Sequence, residues 1–316
     1  MADALRYSEF NYGSEHEQQR LGVWEFPPST SSRAPAAPGS RPKYWIVYLH
    51  GGAFRDPRVL LASGLPTFNR LLQPNSPLPT SRIAGFASID YRLSPHPLFP
   101  EPPDTPPSRR RAARHPDHIV DIWAGLAFLQ RRYGFGADYL VVGHSAGGFL
   151  GLQLPMGRAA VTPRGGAPPD DVALPVCIVG VEGIYDLRGI AERADGGLDE
   201  ILSGAFGTDR DLWDTVSPGR FRGFGHAWGS RKGLVVLAYS PEDELVDGGE
   251  IDTAEAVLRQ SGVRVLAYRD LKGKHDEVRE DGTEIARMLA LAVEELDRSG
   301  KAALMEAKGL NMKAVQ

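Results

Sequence analysis

The sequence predicts an α/β protein: a mostly parallel central sheet with helices on both faces. Three observations carry this reading. Short runs of β-branched and aromatic residues recur along the 316 residues and alternate with stretches of helical periodicity. One such run, Tyr139 to Val142, opens into Gly143-His144-Ser145-Ala146-Gly147 and then a helix-forming stretch from Phe149 to Met156. Another, Tyr44 to Leu49, ends in His50-Gly51-Gly52-Ala53-Phe54. No internal repeat is visible, and a hydrophobic content of 42% supports one large core rather than several small ones.

The elements follow in order. Residues 1–20 are polar and mixed in charge and form an N-terminal segment ahead of a single domain over 21–300. Leu21 to Phe26 reads as an early strand, and Pro27 to Pro42 as a Ser/Pro/Ala-rich connection. After the strand at Tyr44, a helix is expected over Ala62 to Leu72 and a strand over Ile83 to Tyr91. The proline-dense stretch near 95–114 must be irregular. His118 to Tyr133 places Ile119, Ile122, Trp123, Leu126, Leu129 and Tyr133 on one helical face. Arg158 to Asp171 is a Gly/Pro loop, Leu174 to Val179 a strand, and residues 190–225 a small cap excursion above the sheet. Two further strands, Gly233 to Tyr239 and Arg264 to Tyr268, alternate with helices at Ile251 to Gln260 and Glu284 to Leu296. Residues 301–316 read as a surface tail.

Composition excludes several function classes. A net charge of −4 gives no reason to expect nucleic-acid or anionic-membrane binding. The one basic cluster, Arg109-Arg110-Arg111-Ala112-Ala113-Arg114, lies among prolines and reads as a solvated loop. The single cysteine, Cys177, sits inside an apolar run as a small hydrophobe, and one cysteine permits no intrachain disulfide. The first residues resemble neither a secretory signal nor a transit peptide, and no apolar run approaches the ~18 residues of a membrane span. A cytoplasmic enzyme is the expectation. The sequence leaves the oligomeric state open, a homodimer included.

The chemistry is carried by Gly143-His144-Ser145-Ala146-Gly147. G-x-S-x-G between a strand and a helix is the setting of a nucleophile elbow, a tight turn that lifts the serine hydroxyl above the carboxyl edge of a parallel sheet. A serine nucleophile needs a base, an acid that orients it and an oxyanion hole. In this setting the chain order is serine, acid, histidine. Of the eight histidines, only His275 follows every plausible acid. Asp243 lies just past the strand ending at Tyr239 and is the preferred acid; Asp247 lies too far on, and Asp186 is the minor alternative. The glycines after His50 allow backbone N–H groups to approach a reacting carbonyl oxygen, which makes Gly51, Gly52 and the N–H of Ala146 the expected oxyanion hole. His115-x-Asp117-His118 invites a metal reading, but no third and fourth ligand stand at a recognisable spacing, so no metal is expected.

Several segments together resemble the fungal kynurenine formamidases: His50 to Pro57, Asp90 to His96, His115 to Ile119, the elbow, Glu182 to Leu187, and Asp243 to Val246. The resemblance runs from about Trp45 to His275. It implies the α/β-hydrolase fold shared with hormone-sensitive-lipase-like esterases, and hydrolysis of N-formyl-L-kynurenine to L-kynurenine and formate in tryptophan breakdown toward NAD. It implies Ser145 as nucleophile, His275 as base and Asp243 as its partner, with no metal or organic cofactor. The family's oxyanion motif is usually written H-G-G-x-W; here Phe54 stands at the last position, which keeps an aromatic ring and removes an indole N–H. Phe54, Tyr91, Tyr185 and Phe206 are candidates to stack on the substrate's aniline ring, and each is equally a candidate for the core. A short-acyl carboxylesterase would use the same triad. A non-catalytic small-molecule receptor on this fold would be expected to lack one of its members.

Overall fold

The computed structural model describes residues 5–27, 41–163, 172–228 and 233–313, with side chains described up to residue 300. Among the described residues, eight strands form one sheet: β1 (Arg6–Asn11), β2 (Arg20–Glu25), β3 (Tyr44–Leu49), β4 (Ile83–Ile89), β5 (Tyr139–His144), β6 (Cys177–Val181), β7 (Leu234–Ala238) and β8 (Arg264–Tyr268). Their spatial order is β1-β2-β4-β3-β5-β6-β7-β8. β1 pairs antiparallel with β2 and β2 with β4, while every remaining pair is parallel. The helices are α1 (Leu65–Leu71), α2 (Asp117–Tyr133), α3 (Ala146–Gln153), α4 (Arg158–Val161), α5 (Leu187–Arg193), α6 (Asp199–Phe206), α7 (Arg210–Val216), α8 (Gly248–Gln260), α9 (His275–Asp281) and α10 (Thr283–Lys313).

A strand buried on both faces cannot alternate apolar with polar, and the central strands do not. Trp45, Val47 and Leu49 of β3 join the core that also takes up Ile122, Leu126 and Phe149 from α2 and α3. The intervening Tyr44, Ile46 and Tyr48 join a second core with Phe68 of α1 and Ile285, Met288 and Leu289 of α10. Cys177 is fully buried in β6 on this second side.

The sheet, its parallel centre and the order of the elements match the expectation, with three differences. Within the N-terminal segment, residues 6–11 form an edge strand, β1, whose mixed polarity suits a partly exposed edge. The helix expected to end near Leu296 continues as α10 to Lys313, so the expected tail is helical over most of its length. Arg158–Val161 is a helical turn rather than loop. The remainder of that loop, 164–171, most of the 27–42 connection and the last three residues lie outside the described residues. The basic run is a loop as expected: Arg110 donates to the Pro103 and Thr105 carbonyls, and Arg111 pairs with Glu101. Among the described residues no helix is long and apolar enough to cross a membrane.

Candidate active site

Four side chains reach one place because four neighbouring parallel strands end there. Ser145 follows β5 with φ 55° and ψ −122°, a left-handed backbone that L-residues rarely adopt and that surrounding structure must hold. It is held by Ser145 N–H donating to the Val181 carbonyl (3.0 Å) and by Gly148 N–H donating back to Ser145 (2.9 Å). The turn closes because Gly143 and Gly147 touch backbone to backbone; a Cβ on either would collide with main-chain atoms.

Asp243 lies in the turn after β7. Its Oδ1 accepts the N–H groups of Leu245 (2.8 Å) and Val246 (2.9 Å), which leaves Oδ2 aimed at His275 Nδ1, 2.8 Å away. The Asp243 carboxylate is fully buried. With Nδ1–H donated to this carboxylate, Nε2 of a neutral imidazole keeps its lone pair, the state a general base requires. Ser145 and His275 both open onto one cavity of ~240 Å³. The other two acids are used elsewhere. Asp186 caps α5 and pairs with Arg220, and Asp247 caps α8 and pairs with Arg193.

The loop after β3 carries three consecutive positive-φ residues, Gly52 (80°), Ala53 (50°) and Phe54 (64°). It is clamped from behind. The Tyr91 hydroxyl lies 3.1 Å from both the His50 and Gly51 carbonyls, and its ring stacks on His50. Ser94 N–H donates to the Phe54 carbonyl at 2.9 Å. Gly52 and Ala53 line the cavity beside Ser145. Gly51 packs directly behind the elbow: a Cβ there would stand 2.9 Å from the His144 carbonyl oxygen and 3.0 Å from Ser145 Cβ.

Known proteins can now be set beside this geometry. No family model matches the chain. A kynurenine formamidase-like hydrolase of Fusarium equiseti is 33% identical over 261 residues, 77% of this chain and 80% of the relative. A kynurenine formamidase of Aspergillus versicolor is 34% identical over 260 residues, covering 76% and 84%. The chain belongs to the kynurenine formamidase family. Solved structures share its fold: esterase B of Lactobacillus rhamnosis superposes with a TM-score of 0.59 at 17% identity, over 95% of this chain and 90% of that one. A hyperthermophilic esterase of Pyrobaculum calidifontis gives 0.58 at 17%, over 92% and 86%. The fold is the α/β-hydrolase fold, and the family is one of hydrolases.

For this kynurenine formamidase relative, the four aromatic candidates need correction. Phe54, Tyr91, Tyr185 and Phe206 are all buried, and none lines the cavity that holds Ser145. Phe54 packs among Phe149, Phe206 and His118, and Tyr91 supports the loop after β3. The wall facing Ser145 is aliphatic instead, with Ile184 from the loop after β6, Ile190 from α5, Leu198 and Leu202 at and within α6, and Val246. His115 and His118 likewise have separate partners. His115 Nε2 donates to the Val161 carbonyl at 2.6 Å, and His118 Nε2 meets Ser94 Oγ at 3.0 Å. Burial lowers their pKa values to about 4 and about 3, so both are neutral near pH 7.

Two residues with a part in the site went unread in the sequence. His144, the variable position of the elbow, has its Nε2 3.0 Å from the His275 carbonyl, which can only accept; the proton therefore sits on Nε2. The elbow thus anchors the backbone of the residue that faces the serine. Glu182, one residue past β6 at φ 50°, lies 3.2 Å from His144 Nε2 and 3.9 Å from His275 Nδ1. Burial, reinforced by the Asp243 charge, raises its pKa to about 9, so it is a neutral acid at pH 7. The signal for it was the strand end itself: on this sheet every central parallel strand delivers a polar residue to the same edge. His144, Glu182 and His275 bring ligand-type atoms within 4.8 Å of one another, but the His144 and His275 nitrogens concerned already have hydrogen-bond partners, and the cluster reads as a proton-sharing network.

Proposed function

We propose that the chain hydrolyses N-formyl-L-kynurenine to L-kynurenine and formate, as a step of tryptophan breakdown toward NAD. The observation that carries this reading is the Asp243–His275 pair facing the same cavity as the strained Ser145, in a chain of the kynurenine formamidase family. Ser145 Oγ attacks the formyl carbon while His275 Nε2 takes its proton. The N–H groups of Ala146 and of the loop at Gly51 and Gly52 hold the oxyanion, with the buried Asp243 steadying the imidazolium. His275 then protonates the departing aniline nitrogen, the C–N bond breaks, and water attacks the formyl-enzyme to release formate. The test is turnover of N-formyl-L-kynurenine by purified protein, followed by kynurenine absorbance, against p-nitrophenyl acetate. The reading expects kcat/KM for the formamide to exceed that for the ester. An ester preference of tenfold or more would make the chain a short-acyl carboxylesterase on the same triad.

A further inference from the structure

Among the described residues, Arg55 is the one arginine or lysine that lines the cavity, where Asp56 and Asp276 also stand. Arg55 follows the positive-φ loop directly, and its backbone N–H is tied to the Gly52 carbonyl at 2.9 Å. The residue is buried, with only 8% of its surface exposed, yet it lines the cavity that holds Ser145 and His275. Its guanidinium meets Glu200 of α6 through a single nitrogen: Nη1 lies 3.0 Å from Oε1 and 2.8 Å from Oε2. Among the described residues, Nη2 and Nε have no hydrogen-bond partner. The Glu200 side chain is 66% exposed against 10% for Arg55, so the pair neutralises a cation that the fold buries.

We propose that Arg55 is the anchor for a carboxylate at the far end of the substrate, taken on the guanidinium edge that Glu200 leaves unused. The proposal rests on the formamidase reading, whose substrate carries an α-amino-acid carboxylate opposite the scissile formamide. An arginine fork offers two parallel N–H donors to a carboxylate, and here one edge of the fork is unused. A substrate carboxylate takes that edge while Glu200 stays on Nη1, so the buried cation is neutralised before and after binding. The aliphatic wall from Ile184, Leu198 and Leu202 then covers the ring between the two polar ends.

The experiment reads binding without depending on formamide turnover. L-Kynurenine and its carboxamide, which lacks only the negative charge, are compared as competitive inhibitors of p-nitrophenyl acetate hydrolysis. The measurement is made on the wild-type chain, Arg55→Gln and Glu200→Gln. The wild type should bind the carboxylate roughly tenfold to a hundredfold more tightly than the amide, the range for a charge-assisted pair in a partly desolvated site. Arg55→Gln should bring the ratio to about one, and Glu200→Gln should raise it by removing a neighbouring negative charge from the same guanidinium. Equal inhibition by acid and amide in the wild type, or a ratio that survives Arg55→Gln in a folded variant, overturns the anchor. The formamidase reading fails by a different result, absence of kynurenine release from N-formyl-L-kynurenine, so the two failures are distinguishable.

Discussion

The two walls of the cavity are held in different ways. On one, Ser145, Glu182, Asp243 and His275 each stand within a few residues of the end of a parallel strand, so the sheet sets their spacing and main-chain hydrogen bonds set their angles. Strain concentrates there: Ala53, Phe54, Ser145 and Glu182 have positive φ, against Asp195 in the connection between α5 and α6. The opposite wall comes from α5 and α6, short helices fastened at their edges by partly exposed ion pairs such as Arg188–Asp214, Arg210–Asp199 and Arg55–Glu200. Backbone geometry spends stability on holding reacting groups still, whereas an aliphatic wall on short helices changes shape at little cost. Changes on the first wall should therefore lower turnover, and changes on the second should mainly alter substrate affinity.

The largest effect belongs to Ser145→Ala, which removes the proposed nucleophile and leaves the elbow intact. Turnover should fall on the order of 10⁴-fold or more with the thermal midpoint nearly unchanged. A variant that keeps more than a few per cent of the rate would remove Ser145 from the reaction. Gly51→Ala comes next. Its Cβ would press on the His144 carbonyl and Ser145 Cβ, so the elbow or the loop must shift by a few tenths of an ångström. A displacement on this wall should lower kcat about 10²-fold, and a kcat within threefold of wild type would mean that the two loops move independently.

Phe54 tests how the strained loop is kept in place. Phe54→Ala leaves a hole among Phe149, Phe206 and His118 and should cost roughly 3–5 kcal/mol of stability, with turnover down more than tenfold. Phe54→Trp restores the residue usual in the family but must fit a larger ring into a fully buried site, so it should cost about 1–3 kcal/mol while keeping activity within about tenfold. Chemical denaturation and kinetics on the pair decide it; wild-type turnover in Phe54→Ala would mean the Tyr91 clamp suffices alone. On the opposite wall, Leu198→Ala should raise KM severalfold and leave kcat within twofold. A kcat loss exceeding the KM change would erase the distinction between the two walls.

That distinction also explains what the sequence made legible. The strand ends were readable because β-runs and glycine turns are local signals; chain order singled out His275, and its place just past a strand end favoured Asp243 over Asp186. The elbow and the glycine turn after β3 were readable because tight turns demand glycine at fixed places. The substrate wall was not. Aromatic residues near the motifs looked like stacking surfaces, yet Phe54, Tyr91, Tyr185 and Phe206 fill the space behind the loops, where large rings stabilise strained backbone by burial. The residues on the cavity side, Ile190 and Leu202, look in sequence like any apolar position of an amphipathic helix, and only the way α5 and α6 lie over the sheet makes them a wall. Edge strand β1 was missed because its burial is too shallow to write a pattern into six residues.

The prediction with the clearest sign belongs to Glu182→Gln. Glu182 has an ordinary carboxyl value of 4.5 when unfolded and about 9 when folded, raised first by burial and then by the Asp243 charge. Between those values the folded chain binds a proton that the unfolded chain has released, so this group makes stability fall as pH rises from about 4.5 to about 9. Glutamine has nearly the same shape, can still hydrogen-bond and does not titrate. The variant should match wild type near pH 5 and become progressively more stable than wild type toward pH 9, since all other carboxylates cancel in the difference. Thermal midpoints of the two proteins across that range measure it. A difference that stays flat, or that favours wild type as pH rises, would mean that Glu182 is ionised in the folded chain and that two negative charges flank His275.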